Sequence, residues 1–305
     1  SALGYDGYGY AVNAYGDVLF LCSFGALFAG GPSFAFCDYS QGKVFIQENG
    51  KIVWEHKAPD SNDIWVLPNK NILFTAGKEV LEVSRKNDTV FHYTSESNIF
   101  ACQRLKNGNT FIGECDNGRL LEVSPDGSIV KEVSILPFGV KTGGHAFMRN
   151  ARCLDNGHYL VAHYGGKSVV EYDENGKAVW NIPVPGGAHS VIRLPSGNTL
   201  VAVTDKDNNP GVFEYDMAGN IVWSLTNKDL PGTLKFAGGM HYLSDGRLFL
   251  TNWVGHVDAK NPAHLLVIDK LSKKVLYKVS DRNEIKTMSS VFALDALKKR
   301  VKSYH

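Results

Sequence analysis

Three histidines follow paired glycines in this chain, and their spacing is its clearest chemical signal. His145 comes after Gly143-Gly144, with Arg149 four residues on; His189 follows Gly186-Gly187; His241 follows Gly238-Gly239. An imidazole near neutrality transfers protons or ligates metal, and a nearby guanidinium neutralises a carboxylate. If the protein is an enzyme, His145, His189 and Arg149 are the catalytic candidates. As ligand contacts they are joined by Asp63 and Trp65, which hold a related position earlier in the chain. The stretch Asn252-Trp253-Val254-Gly255-His256-Val257-Asp258 adds Trp253 and His256, an aromatic plane beside polar groups, suited to a sugar ring or a planar ligand. His241 lies deeper along its strand than His189. A zinc site needs its ligands to converge on one ion, and residues spread around separate repeats do not do so readily, so neither metal nor cofactor is expected.

The elements that position these residues are short and repeated. His189–Leu194, Thr199–Val203, Val212–Tyr215 and Ile221–Leu225 are apolar runs broken by Ser196-Gly197, a loop over Asp205–Pro210, and Ala218-Gly219. Such runs read as strands joined in hairpins, four to a meander. The second hairpin recurs with its valine at Val53, Val90, Val130, Val179, Val222 and Val275. A period of roughly 40–50 residues with four strands per unit predicts an all-β propeller of four-stranded antiparallel blades. Six hairpins predict six blades; if residues 10–22 form a hairpin of their own, there are seven. The first hairpin begun at Ser289–Leu294 lacks its second strand, so an N-terminal strand is expected to complete that blade and close the ring.

This divides the chain into residues 1–31, Gly/Tyr-rich and then apolar and partly strand, the propeller at 32–295, and a basic tail at 296–305. Val18–Ala29 resembles a signal-peptide core but no basic residue precedes it, and Ser, Gly and Pro break it too soon for a membrane span. Net charge is +1, with 32 Lys and Arg against 31 Asp and Glu. That balance argues against a nucleic-acid partner, which needs clustered positive charge. The five cysteines form no CxxC pair and are expected as buried small apolar side chains. Because strands alternate in direction, the tight turns fall on one face of the disc. The longer connections fall on the other, which is the expected functional face.

The text HSVIRLPSGNTLVAV followed by VFEYDMAGNIVW resembles the bacterial propellers grouped with arylsulfotransferases and quinoprotein-type repeats. The text around Gly144-His145-Ala146 and Asn252–His256 is similar to that of small secreted bacterial six-bladed propellers. The resemblance implies a secreted or periplasmic protein and, from the arylsulfotransferases, a histidine nucleophile assisted by further His and Arg. Three functions follow as expectations. The first is binding of a carbohydrate or small anionic ligand at the channel mouth. The second is a polysaccharide lyase or glycosidase using the same His and Arg, and the third a scaffold for protein partners.

Overall fold

The tight turns show why the chain folds as it does. In Leu105–Asn109, the Gly108 amide donates to the Leu105 carbonyl at 3.0 Å and the Leu105 amide to the Asn109 carbonyl at 2.8 Å. The same pair of bonds closes the turns around Gly127, Gly157, Gly176, Gly197 and Gly219. In each, the glycine holds a positive φ, the conformation that ends a three-residue hairpin with a bulge. Where the repeat lacks the glycine, Lys70, Asn87 and Lys273 take up the left-handed conformation instead, with φ of 70, 67 and 61°. The turns at Lys70 and Asn87 are therefore the same turn with a strained residue in it, while the turn at Lys273 is one residue longer, its amide donating to the Asp269 carbonyl.

The computed structural model describes residues 31–204, 209–255, 263–280 and 283–305. It also gives the backbone pairing of Ala11–Val12 with Val18–Leu19. His256, Asp205, Asp258 and most of the N-terminal segment lie outside the described residues. Six four-stranded antiparallel sheets stand in a ring, a six-bladed β-propeller. Blade 1 joins both ends of the propeller. Met288–Ala293 is its innermost strand, followed by Phe34–Asp38, Lys43–Glu48 and Lys51–Lys57, with Val291 opposite Phe36. Blades 2 to 6 begin at Ile64–Val66, Ile99–Arg104, Asn150–Cys153, Gly187–Arg193 and Ala237–Leu243.

Burial follows position in the blade. Second strands such as Ile72–Ala76, Thr110–Glu114 and Thr199–Thr204 are buried throughout, because neighbouring blades cover both faces. Outer strands alternate. The recurrent valine points to solvent, while the next residue, Trp54, Phe91, Trp180 or Trp223, turns inward.

Blades are joined by a repeated polar device. Arg193 of blade 5 lies over the Trp180 ring at 5.1 Å and pairs with Glu171 of blade 4 at 3.0 Å. Lys270 of blade 6 does the same with Trp223 and Glu214 of blade 5, at 4.7 and 2.6 Å. Both indoles donate onward, to the carbonyls of Met217 and Lys270.

The tail does not simply run off into solvent. Lys298, Lys299 and Arg300 are exposed, but Ser303–Tyr304 adds a fifth strand to blade 6, antiparallel to its first. The chain there climbs the central shaft from the tight-turn face, and His305 lies inside the ring.

Candidate functional site

On the face that carries the long connections, the shaft opens into a cavity of about 340 Å³. Residues at two repeated positions line it. Tyr39, Tyr164 and Trp253 each follow directly on the second strand of their blade, in blades 1, 4 and 6. Asn62, Phe100, Arg149, His189, Phe236 and Ser289 stand at or just before the start of the first strand, and His145 lies in the loop leading to Arg149.

The aromatic residues form a belt in which neighbours meet edge to face. Tyr39 meets Trp253 with ring centres 6.3 Å apart and planes at 89°, and Trp253 meets Phe236 at 5.4 Å and 73°. Phe236 meets His189 at 5.1 Å and 90°, and His189 meets Tyr164 at 6.4 Å and 84°. Beyond Arg149, Phe100 meets His145 at 5.8 Å. The paired glycines are part of this construction. A Cβ on Gly187 would come within 2.5 Å of the Tyr164 ring, and one on Gly239 within 2.8 Å of the Ser290 backbone.

Arg149 closes the belt between Phe100 and Tyr164. Its guanidinium carbon lies 4.8 Å from one ring centre and 5.0 Å from the other. Among the described residues no carboxylate comes within ion-pair range of it, and its buried Nε has no hydrogen-bond partner. On the other side of Tyr164, His189 is partly buried. Burial first, and the Arg149 charge second, push its imidazole down to about 3, against a backbone hydrogen bond at Gly238. It is therefore neutral at physiological pH, and its buried Nδ1 has no partner. Tyr39 is raised by burial and by Asp60, with Arg149 opposing.

A second, much smaller space of about 10 Å³ lies below, room for about one water. Asn62, Arg149 and His189 line both spaces, so they form the neck between them. Beneath the neck is a buried polar hub. Arg152 grips Asp63 with both terminal nitrogens, at 2.7 and 2.9 Å, and lies 5.0 Å from the Trp65 ring centre. Arg152 Nε also donates to the His305 carbonyl at 2.9 Å. The His305 imidazole sits between the carbonyls of Met240 and Ile64, at 2.8 and 2.7 Å, and closes the shaft. Burial and the Arg152 charge push it down to about 4, opposed by Asp63.

The structure thus brings His145, Arg149, His189 and Trp253 to one cavity and separates Asp63, Trp65 and His241 from it. Asp63 is engaged by Arg152 below the neck. Trp65 lies in the same lower layer and donates to the Cys102 carbonyl. His241 is fully buried, accepts from the Ala293 amide at 2.9 Å and packs 4.4 Å from Phe292. Burial, with His305 and Arg152, lowers its pKa strongly. Sequence reasoning missed Tyr39, Asn62, Phe100, Tyr164, Phe236 and Ser289. The aromatic residue just after the second strand, recurring in three blades, was the signal that would have found part of this wall. Among the described residues no group of His, Cys, Asp and Glu side chains is arranged to hold a metal ion.

No protein-family profile and no curated protein matches the chain. Solved structures do resemble it. A protein of unknown function from Bacteroides caccae superimposes with a TM-score of 0.76 at 22% identity, over 86% of this chain and 98% of that one. A streptogramin B lyase follows with a TM-score of 0.58 at 14% identity, over 87 and 88% of the two chains. Virginiamycin B lyase from Staphylococcus aureus, solved as a catalytically inactive variant with quinupristin, gives 0.50 at 14% identity, over 73 and 78%. At these identities the likeness shows the fold.

Proposed function

We propose that this propeller binds a small organic anion in the cavity at the mouth of its shaft, sugar acids and other carboxylic acids included. Arg149 carries the reading. A half-buried guanidinium in an aromatic cavity, with its Nε buried and unpartnered and no counter-charge beside it, is an arrangement that a bound anion would complete. The contrast with Arg152 supports it, because that arginine, three residues on and at the next level down, is fully paired. The cavity also has the character of a small-molecule site: concave, mostly aromatic and with polar groups set among the rings.

A second reading keeps the same cavity and adds turnover. The neutral His189, the rim residue His145 and the Arg149 cation are the groups that abstraction of a proton beside a substrate carboxylate would use. Two of the structural neighbours are lyases, which fits this reading. However, an imidazole pushed down to about 3 is a weak base, so His145 would have to take the proton.

A thermal-shift screen of neutral sugars, sugar acids and small carboxylates, on wild type and Arg149→Met, tests the binding reading. Acids alone should raise the melting temperature, and only in wild type. Stabilisation by neutral sugars in both proteins would refute it. Chromatography of each stabilising acid after incubation then separates binding from turnover.

A further inference from the structure

We infer that the ligand is a flat, hydroxyl-poor monocarboxylate, an aromatic or conjugated acid, seated with its carboxylate on Arg149 and its body against the rings above. This rests on the proposed function and narrows its ligand class.

The first argument is directional. Phe100 and Tyr164 both pack against the Arg149 guanidinium, with ring centres 4.8 and 5.0 Å from its carbon, and narrow the directions from which a partner can reach it. In-plane approach to the N–H fork is the geometry in which a planar carboxylate accepts two parallel hydrogen bonds.

The second is charge. Among the described residues lining the cavity Arg149 is the single Lys or Arg, and His189 is neutral. One positive charge matches a monoanion. A phosphate dianion would bring a second charge into an aromatic enclosure with nothing to balance it.

The third is depth. Asn62, Arg149 and His189 form the neck, and the space below holds about one water. The acidic head therefore stops at the neck, while the body extends toward Trp253, Phe236 and Tyr39.

The fourth is what lines the upper wall. Among the described residues, apart from Arg149, the tyrosine hydroxyls, the two imidazoles and the Trp253 indole, only Asn62 and Ser289 bring polar side chains, and no carboxylate lines the cavity. A sugar hydroxyl set against the Phe100 or Phe236 ring would give up water without a matching partner. An aromatic ring gives up none, and gains edge-to-face contacts with the belt.

Calorimetric titration with trans-cinnamate, cinnamamide, cyclohexanecarboxylate, phenyl phosphate and glucuronate tests the inference. Cinnamate should bind about tenfold or more tightly than each of the others, the gap of about 1.4 kcal/mol that one charge-assisted contact or one stacked ring accounts for. Trp253→Leu should weaken cinnamate severalfold, and a matching circular dichroism spectrum would exclude misfolding. Phenyl phosphate or glucuronate binding as tightly as cinnamate would overturn the inference while leaving the anion reading intact. Cinnamamide binding as tightly as cinnamate, or no binding by any of the acids, would overturn both.

Discussion

Asp63 and Arg152 meet across the central shaft in a two-pronged ion pair, although they belong to blades 2 and 4. The Asp63 carboxylate also accepts the Cys102 amide of blade 3 at 3.0 Å, so one buried side chain ties three blades together. The carboxylate and guanidinium are both almost fully enclosed, at 2 and 7% side-chain exposure. That enclosure decides what their loss would do.

Removing one partner strands the other's charge. Asp63→Ala is expected to cost about 3–5 kcal/mol of stability. The pair Asp63→Leu with Arg152→Met should cost much less, since neither charge remains. Urea denaturation measures both. A single-variant loss below about 1 kcal/mol would mean that water already reaches the pair.

The histidines of the shaft set an acid limit. His189 and His305 are pushed down to about 3 and about 4, so both are neutral in the folded protein and protonate near their ordinary value of about 6.5 once unfolded. Above that pH the unfolded chain binds no extra proton, and stability is unaffected by either group. Below it the unfolded chain takes up protons that the native state refuses, so stability falls as pH falls. Each histidine contributes a slope of up to about 1.4 kcal/mol per pH unit. Denaturation between pH 7 and 5 should show His189→Gln with the shallower decline. Parallel curves for variant and wild type would contradict this.

The strained turns offer a gain. Lys70 donates its amide to Leu67 in the turn where the other blades use glycine, at φ 70°. Lys70→Gly should stabilise by about 0.5–1 kcal/mol by removing the left-handed penalty, partly offset by unfolded-chain entropy. A loss of stability on chemical denaturation would show that the lysine side chain matters more than its backbone.

Between blades, Lys270 connects Glu214 and the Trp223 ring. A double-mutant cycle on Lys270→Met and Trp223→Leu should give a coupling of about 0.5–2 kcal/mol. Strict additivity would remove the cation–ring contact from the account.

The ring was legible in the sequence because the blades repeat local physics: a valine facing solvent in all six, an inward aromatic after it in four, and in most turns a glycine where the backbone needs positive φ. The face that carries the cavity was legible too, since strand direction follows from counting hairpins. Asp63 and Trp65 shared a strand position with cavity residues and His241 shared a preceding glycine pair with His145 and His189, but a strand turns successive side chains to different sides and depths, and spacing alone does not tell them apart. The hub was hidden for another reason. Arg152 and Asp63 are far apart in the chain, and His305 reaches the shaft through a strand of only two residues after an exposed basic run. Neither contact has a periodic signature.

A crystal structure of the protein with a bound carboxylic acid tests the central claim most directly. The account predicts a carboxylate at about 2.7–2.9 Å from the Arg149 guanidinium nitrogens, with the rest of the molecule among Tyr39, Phe236 and Trp253. Density for the acid on the tight-turn face or the outer strands, with Arg149 untouched, would contradict it.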